Sequence, residues 1–353
     1  MADRIRIGVL GASGYTGGDL VRLLARHPLA EIVFLTAERQ AGRDIAAVFP
    51  HLLGLKLPVM VNVEEIDWPN AGVDIVFCCL PHGTTQTIVK TILTANPAIR
   101  VIDLSADFRL DDPAVYAEWY GHEHYAPEIQ PLAVYGLPEF HRERVATSRL
   151  VANPGCYPTA ALLALVPLVA AGMVDTTDII IDAKSGVSGA GRGLKENLLF
   201  CEVGEGIHPY SVGSHRHAPE IEQEIAKAAA GAETHVNFTP HLMPMNRGEL
   251  CTCYVRLAGG ATVQDLRATL VQRYEGEPFV NLVPQGQAPA TRSVRGSNYC
   301  QLGLFPDRIP GRAIVVSVID NLVKGSSGEA IQNMNLMTGL PETTGIDQIA
   351  LFP

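Results

Sequence analysis

The chain has 353 residues, 47% of them hydrophobic, and a formal net charge of −10. That length exceeds one small core and sets two domains as the expectation, and an acidic chain without any basic run argues against nucleic acid and anionic membrane surfaces as partners. Aromatic residues make up only 6% while Gly (33) and Pro (24) are plentiful, a mix that suits a turn-rich α/β enzyme better than a coiled coil or a disordered chain.

Met1-Ala2-Asp3-Arg4 runs straight into a strand, with no charged-then-apolar leader and no apolar run fit for a bilayer, so a cytoplasmic protein is expected. Arg4 to Leu10 alternates as a strand does. A glycine loop follows, then Asp19 to Arg26 with Leu20, Leu23 and Leu24 at helical spacing, ended by His27-Pro28. Ile32 to Leu35 is the next strand. Val73 to Leu80 is almost continuously apolar, as a strand covered on both faces should be, and Val101 to Leu104 is another. Strands alternating with helices predict an α/β fold with a parallel, doubly wound sheet.

The character changes after Pro154. Pro158 to Val166 reads as a helix with Cys156 at its foot. Ile179 to Ala183, Leu250 to Leu257 and Ala313 to Ile319 read as strands. Pro219 to Ala230 and Val263 to Tyr274 read as helices, the second with Val263, Leu266, Leu270 and Tyr274 on one stripe. This predicts an α+β second domain whose partly antiparallel sheet has one covered face. Gly325 to Met337 reads as a final helix returning to the first domain. The expected boundaries are 1–153 with 325–353, and 154–324.

Gly8, Gly11 and Gly14 form a GxxGxxG turn between the first strand and first helix. Such a turn lets backbone approach a pyrophosphate at a helix N-terminus. Gly11, Ser13, Gly14, Tyr15 and Thr16 are therefore cofactor candidates. At the end of the second strand, Glu38 favours a ribose hydroxyl and hence NAD, whereas Thr36, Arg39 and Arg43 favour a 2′-phosphate and hence NADP, the preferred reading. Either arginine alone reads equally as a solvated charge. Leu80, Pro81 and His82 follow a buried strand at its carboxyl end, where open sheets bind ligands.

A thiol at a helix start feels the positive end of the dipole, which favours the thiolate. Cys156 is the candidate nucleophile. The other six cysteines, Cys78, Cys79, Cys201, Cys251, Cys253 and Cys300, are scattered with no CxxC pair, so they read mainly as small core residues and no metal is expected. Gly213 to Glu220 (GSHRHAPE) supplies His215 and His217 as acid–base candidates and Arg216 as an anion ligand. Asn153, or the first amides of the cysteine helix, would stabilise an oxyanion. Further anion-handling candidates are Arg109, Ser188, Gly189, Arg192 and Arg247 for the substrate and Ser185 and Gly186 of the same glycine-rich loop for the cofactor; Asn321 leads into the last helix and is placed near a nicotinamide.

These segments together resemble the N-acetyl-gamma-glutamyl-phosphate reductase family of arginine biosynthesis. The resemblance is carried by GASGYTG (Gly11 to Gly17), ANPGCYPT (Ala152 to Thr159), KSGVSGAGR (Lys184 to Arg192), GSHRHAPE, HLMPMNRG (His241 to Gly248) and NLVKG (Asn321 to Gly325). It implies a Rossmann-like NADP-binding domain and an α+β domain of the glyceraldehyde-3-phosphate and aspartate-semialdehyde dehydrogenase type. It implies NADPH as reductant, a Cys156 thioester, His215 or His217 as acid–base group, and a homodimer or homotetramer. Ser326 to Ala330 departs from the family's usual alanines and glutamine. Competing readings are a reductase for a carrier-protein-bound acyl phosphate, one for aspartyl phosphate, and a non-catalytic NADP(H) sensor.

Overall fold

A computed structural model of the chain describes residues 4–352. The opening triplet Met1-Ala2-Asp3, on which the expected lack of a leader partly rests, lies outside the described residues. The chain divides into two compact units, one running to Pro154 and resuming over Ser326–Asp347, the other spanning Gly155–Gly325 and resuming from Gln348.

In the first unit, seven strands form one parallel sheet. They are β1 (Ile5–Leu10), β2 (Ala30–Thr36), β3 (Met60–Val61), β4 (Ile75–Cys78), β5 (Arg100–Asp103), β6 (Ala133–Tyr135) and β7 (Leu150–Ala152), in the order β3-β2-β1-β4-β5-β7-β6. β1 and β4 are neighbours although two strands separate them in sequence, so the winding reverses between their carboxyl ends. That crevice is where doubly wound sheets bind ligands. Ile7, Val9, Ile75, Val76, Phe77, Val101 and Ile102 are fully buried, as strands covered on both faces require. Helices α1 (Tyr15–Leu24), α2 (Thr85–Ala95), α3 (Pro113–Tyr120) and α4 (Pro138–Thr147) connect the strands. The second and third of these have clear starts. The Asp107 carboxylate accepts from the Gly83 and Thr85 amides at the head of α2, and Asp112 caps α3.

The second unit opens with α5 (Cys156–Ala170), longer at both ends than its sequence pattern indicated. Twelve of its fifteen residues are buried, so it is a central helix, hydrophobic all round. Pro167 lies inside it and lacks the amide that would bond the Leu163 carbonyl. The Tyr274 hydroxyl donates to that carbonyl instead, at 2.5 Å. Helix α6 (Phe200–Val203) is a single turn, and α7 (Ala218–Ala228) and α8 (Val263–Tyr274) follow. The α8 start is a capping box between Thr262 and Asp265.

Seven strands form the mixed sheet of this unit: β8 (Ile179–Gly186), β9 (His208–Pro209), β10 (Val236–Met243), β11 (Glu249–Arg256), β12 (Val280–Leu282), β13 (Cys300–Pro306) and β14 (Arg312–Ile319). Their order is β12-β13-β14-β11-β8-β10-β9. β11 runs antiparallel to both β8 and β14, whereas β10 runs parallel to β8. Burial alternates along β8, β10 and β11, the mark of a sheet with one covered face.

After β14 the chain makes one π turn, Val323–Ser327, and the Gly325 amide donates to the Asp320 carbonyl five residues back. Helix α9 (Gly328–Met337) then lies against α4 and α1 in the first unit. The terminal residues differ from the expected boundary. Those from Gln348 group with the second unit, where the Leu351 amide donates to the Arg295 carbonyl.

Candidate active site

The glycine turn is shaped by close backbone approach. Gly11 has φ +74°, and a Cβ there would stand 2.4 Å from the Cys79 carbonyl oxygen. A Cβ on Gly17 would meet the Gly11 carbonyl at 2.4 Å. The N-cap of α1 is Gly14, with no side chain capping the helix; its amide donates to the Gly11 carbonyl, and the first helical amides, at Tyr15 and Thr16, are left to meet an anion. These features fit a pyrophosphate. Thr36 has a structural part beside the expected phosphate grip. It is 2% exposed, and its hydroxyl accepts from the Gly11 amide at 3.3 Å, so it braces the turn. Arg39 and Arg43 are exposed, and Arg43 reaches Gln40. Leu80 is half-buried and Pro81 exposed. The exposed His82 accepts the Ala106 amide on Nδ1.

Two further candidates of the first unit are committed to its interior. Asn153 is 1% exposed. Its amide donates to the Ser326 carbonyl and accepts from Asn333, and its backbone N–H donates to Asp103. Arg109 donates to the carbonyls of Asn153 and Leu104. Both residues therefore shape the loop that ends in Pro154, as buried polar groups must find partners locally. Nearby, the departure at Ser326 to Ala330 is absorbed by the fold: the Ser327 hydroxyl donates to Asp19 of α1.

In the second unit, Cys156 is the first residue of α5 and is half-buried. Gly325 packs directly on it: a Cβ at Gly325 would stand 2.7 Å from the Cys156 Cβ. The amide of Gly155, the N-cap of this helix, donates at 2.8 Å to the carboxylate of Glu220. Glu220 is 1% exposed and sits in the first turn of α7, whose N-cap is His217. One hydrogen bond thus ties the start of the cysteine helix to the start of the histidine helix.

The two histidines are not equivalent. Their rings lie 4.7 Å apart, and both stand edge-on to Tyr157 at 5.8 Å. His215 is also enclosed by Tyr210 and Phe238. Its Nδ1 accepts the His217 amide, so its neutral ring carries the proton on Nε2. Burial, with the neighbouring Arg216 guanidinium, pushes its pKa down to about 4. The Tyr210 hydroxyl donates to that of Tyr157, and burial holds both phenols protonated.

The loop after β8 lies against the turn before β11. Gly186, Val187 and Ser188 donate backbone bonds to Gly248, Met245 and Asn246, and a Cβ on Gly186 would strike Asn246 at 2.8 Å. The side chain of Asn321 donates to the Ser188 hydroxyl and accepts the Gly248 amide. Ser185 is 1% exposed and Gly189 is exposed. Arg247 approaches the buried Asp320 carboxylate at 3.5 Å. Arg192 and Arg216 are exposed.

Two residues of this unit were not singled out from sequence, Glu220 and Glu249. Glu220 carried one signal, an acid three positions after the N-cap of its helix. Glu249 carried none, since it stands in the strand pattern where an apolar residue is usual. Cys78, Cys251, Cys253 and Cys300 are buried, and burial raises the first three thiols, Cys253 to about 12. No cluster of three or more metal-binding side chains occurs among the described residues.

Residues 6–148 match the family model described as semialdehyde dehydrogenase, NAD binding domain, and residues 156–321 match its dimerisation domain. A curated relative from Rhodospirillum rubrum, N-acetyl-gamma-glutamyl-phosphate reductase, is 58% identical over 355 residues and covers 100% of both chains. The reductase of that name from Afipia carboxidovorans is 56% identical and covers 99% of each. A probable chloroplastic counterpart from Arabidopsis thaliana is 56% identical over 99% of this chain and 86% of its own. Among solved structures, aspartate semialdehyde dehydrogenase II from Vibrio cholerae superposes with a TM-score of 0.74 at 19% identity, covering 96% of this chain and 99% of that one. The likeness to that enzyme extends to the fold, and the sequence relation narrows it: the chain belongs to the N-acetyl-gamma-glutamyl-phosphate reductase family of semialdehyde dehydrogenases.

Proposed function

We propose that the chain reduces N-acetylglutamyl 5-phosphate to N-acetylglutamate 5-semialdehyde and phosphate with NADPH, as a step of arginine synthesis. The observation that carries this reading is Cys156 at the head of a buried helix, with its N-cap pinned by the first turn of the helix that begins at His217. Relatives matched end to end at 56–58% identity bear the name of that activity.

The Cys156 thiolate attacks the acyl carbonyl, the C–O bond to phosphate breaks, and inorganic phosphate leaves with the bonding pair. Conserving the acyl energy in a thioester matters because a carboxylate carbonyl resists hydride. When bound, the dinucleotide supplies that hydride. His217 then protonates the oxygen of the thiohemiacetal and takes the proton back as the C–S bond breaks, releasing the aldehyde and the thiolate. Amides at the start of α5 stabilise the oxyanion. The loop from Ser185 to Gly189, with Arg192, Arg216 and Arg247, supplies donors for the phosphate and carboxylate groups. Asn153 and Arg109 act as positioning residues.

The glycine turn holds the dinucleotide. Glycine 11 to alanine is expected to weaken NADPH binding at least tenfold in a fluorescence titration. It is also expected to destabilise the protein by about 1–3 kcal/mol, through a left-handed backbone and the carbonyl clash. Unchanged affinity would remove Gly11 from the cofactor site.

The substrate assignment is tested by phosphate-dependent reduction of NADP with N-acetylglutamate semialdehyde, run beside aspartate semialdehyde and with NAD in place of NADP. The acetylated substrate and NADP are expected to dominate; comparable rates with aspartate semialdehyde would overturn it. A carrier-bound substrate calls for a basic docking face, which a net charge of −10 disfavours. We further place the protein in the cytoplasm as a homo-oligomer. The match to a dimerisation domain supports self-association, as do the exposed side chains of Leu194, Leu199, Phe200, Ile207 and Val212 within it. None of the described helices is long and apolar enough to cross a membrane.

A further inference from the structure

We propose that Glu249 is a positioning residue for Cys156, a neutral carboxylic acid that hydrogen-bonds the nucleophilic sulfur, so that the pair rather than the thiol alone carries the ionisation that arms it. The proposal deepens the thioester reading and rests on Cys156 being the nucleophile.

Glu249 heads β11, the central strand of the mixed sheet, with Ser185 of β8 on one side and Ile319 of β14 on the other. Its backbone follows Gly248, whose amide is held by Asn321. The side chain is 0% exposed. Neither carboxyl oxygen has a hydrogen-bond partner among the described residues; Cys156 is the neighbouring group able to hydrogen-bond it, and α5, which Cys156 begins, packs against β11. A buried carboxylate without donors is costly, and neutralising it is the cheapest relief. Burial accordingly pushes its pKa up to about 8, against a downward pull from the Cys156 thiol and with a smaller push from the Asp320 carboxylate. An unsupported acid at this depth has no role in stability that an apolar side chain would not fill better.

The surrounding groups leave the proton little choice. Tyr157 from α5 and Tyr210 feel Glu249, and burial keeps both phenols protonated. Cys251, two positions along the same strand, has its thiol raised well above the ordinary value. Asp320, after β14, accepts from the Gly296, Leu322 and Val323 amides and faces Arg247. His215 and His217 stand edge-on to Tyr157, each ring 5.8 Å from it. The first proton lost from the Cys156–Glu249 pair leaves one negative charge, held as thiolate against the carboxylic proton. Loss of the second would set two negative charges side by side and is postponed to higher pH. The two steps belong to the pair. Attack on the acyl carbonyl moves the charge off sulfur and breaks that hydrogen bond, so the acid stabilises the armed enzyme without remaining bound to the thioester sulfur.

The test is the rate of Cys156 alkylation by iodoacetamide as a function of pH, read by mass spectrometry of the Cys156 peptide in the full-length protein. Beyond the thiol's own ionisation, which both proteins keep, the wild type is expected to show a second inflection near pH 8 that E249Q lacks; any inflection from a histidine survives in both. E249Q retains a donor and is expected to react within about threefold of wild type at pH 7. E249M removes donor and proton together and is expected to react about tenfold more slowly there, one unit of thiol pKa. A merely structural role would move melting temperatures and leave the inflections alone. Identical inflections in wild type and E249Q overturn the proposal, and should neither variant fold, a wild-type profile without the inflection near pH 8 does the same. Failure of the thioester reading looks different: C156S would turn over normally whatever the alkylation profile.

Discussion

Replacing Cys156 by serine is expected to lower turnover by about a thousandfold or more, with NADPH affinity changed by less than about twofold. A serine hydroxyl at neutral pH has almost no alkoxide, and the helix dipole that favours a thiolate cannot make up the difference. The affected atom sits at the head of α5, whereas the glycine turn belongs to the other compact unit. Binding and chemistry should therefore separate. Steady-state rates and a fluorescence titration on one preparation measure both. A variant with turnover within tenfold of wild type would sink the covalent mechanism, whereas a wild type that binds NADPH without turnover would be a non-catalytic sensor.

The second large effect is at His217. Changing it to asparagine is expected to reduce kcat by about 10²–10⁴, the usual worth of a general acid–base group. His215 to asparagine is expected to lose less than about tenfold by the same yardstick. The reason is electrostatic. At a pKa of about 4, His215 is protonated in roughly one molecule in a thousand at pH 7, so it is a poor proton donor and serves as packing beside Tyr157, Tyr210 and Phe238. His217 is instead the N-cap of α7, one turn from the carboxylate that pins Gly155. Equal losses at the two positions, or the larger one at His215, would reverse the assignment. Melting curves of both variants guard against a loss that is only unfolding.

Much of the fold follows from short-range pattern. The alternation in Arg4 to Leu10 became β1 (Ile5–Leu10), the apolar run from Val73 became the buried β4, and the stripe over Val263 to Tyr274 became α8 with those bounds. Helix starts were harder. α5 begins two residues before Pro158, because proline is tolerated in a first turn and its missing amide has no intrahelical partner there anyway. Side-chain roles were harder still. Thr36 reads as a phosphate ligand by its place at the end of β2, and its hydroxyl also accepts from the Gly11 amide, twenty-five positions away in sequence. Asn153 is taken by Ser326 and Asn333, and Arg109 by Asn153 and Leu104. Each polar type and position was apparent; which distant partner it would meet was not.

The sequence by itself determined the two-domain plan, the glycine turn, the cysteine at a helix foot and the paired histidines. All of these are set by period, by caps and by the conformational limits of glycine and proline within a few residues. Only the tertiary structure decided that Glu220 holds Gly155 from sixty-five positions away, that Gly325 leaves room for Cys156, that the two histidines differ, and that Glu249 is buried against the sulfur. Those facts depend on how deeply a group is desolvated and on which distant donor meets it. Both are properties of packed elements, and no local stretch of chain encodes them.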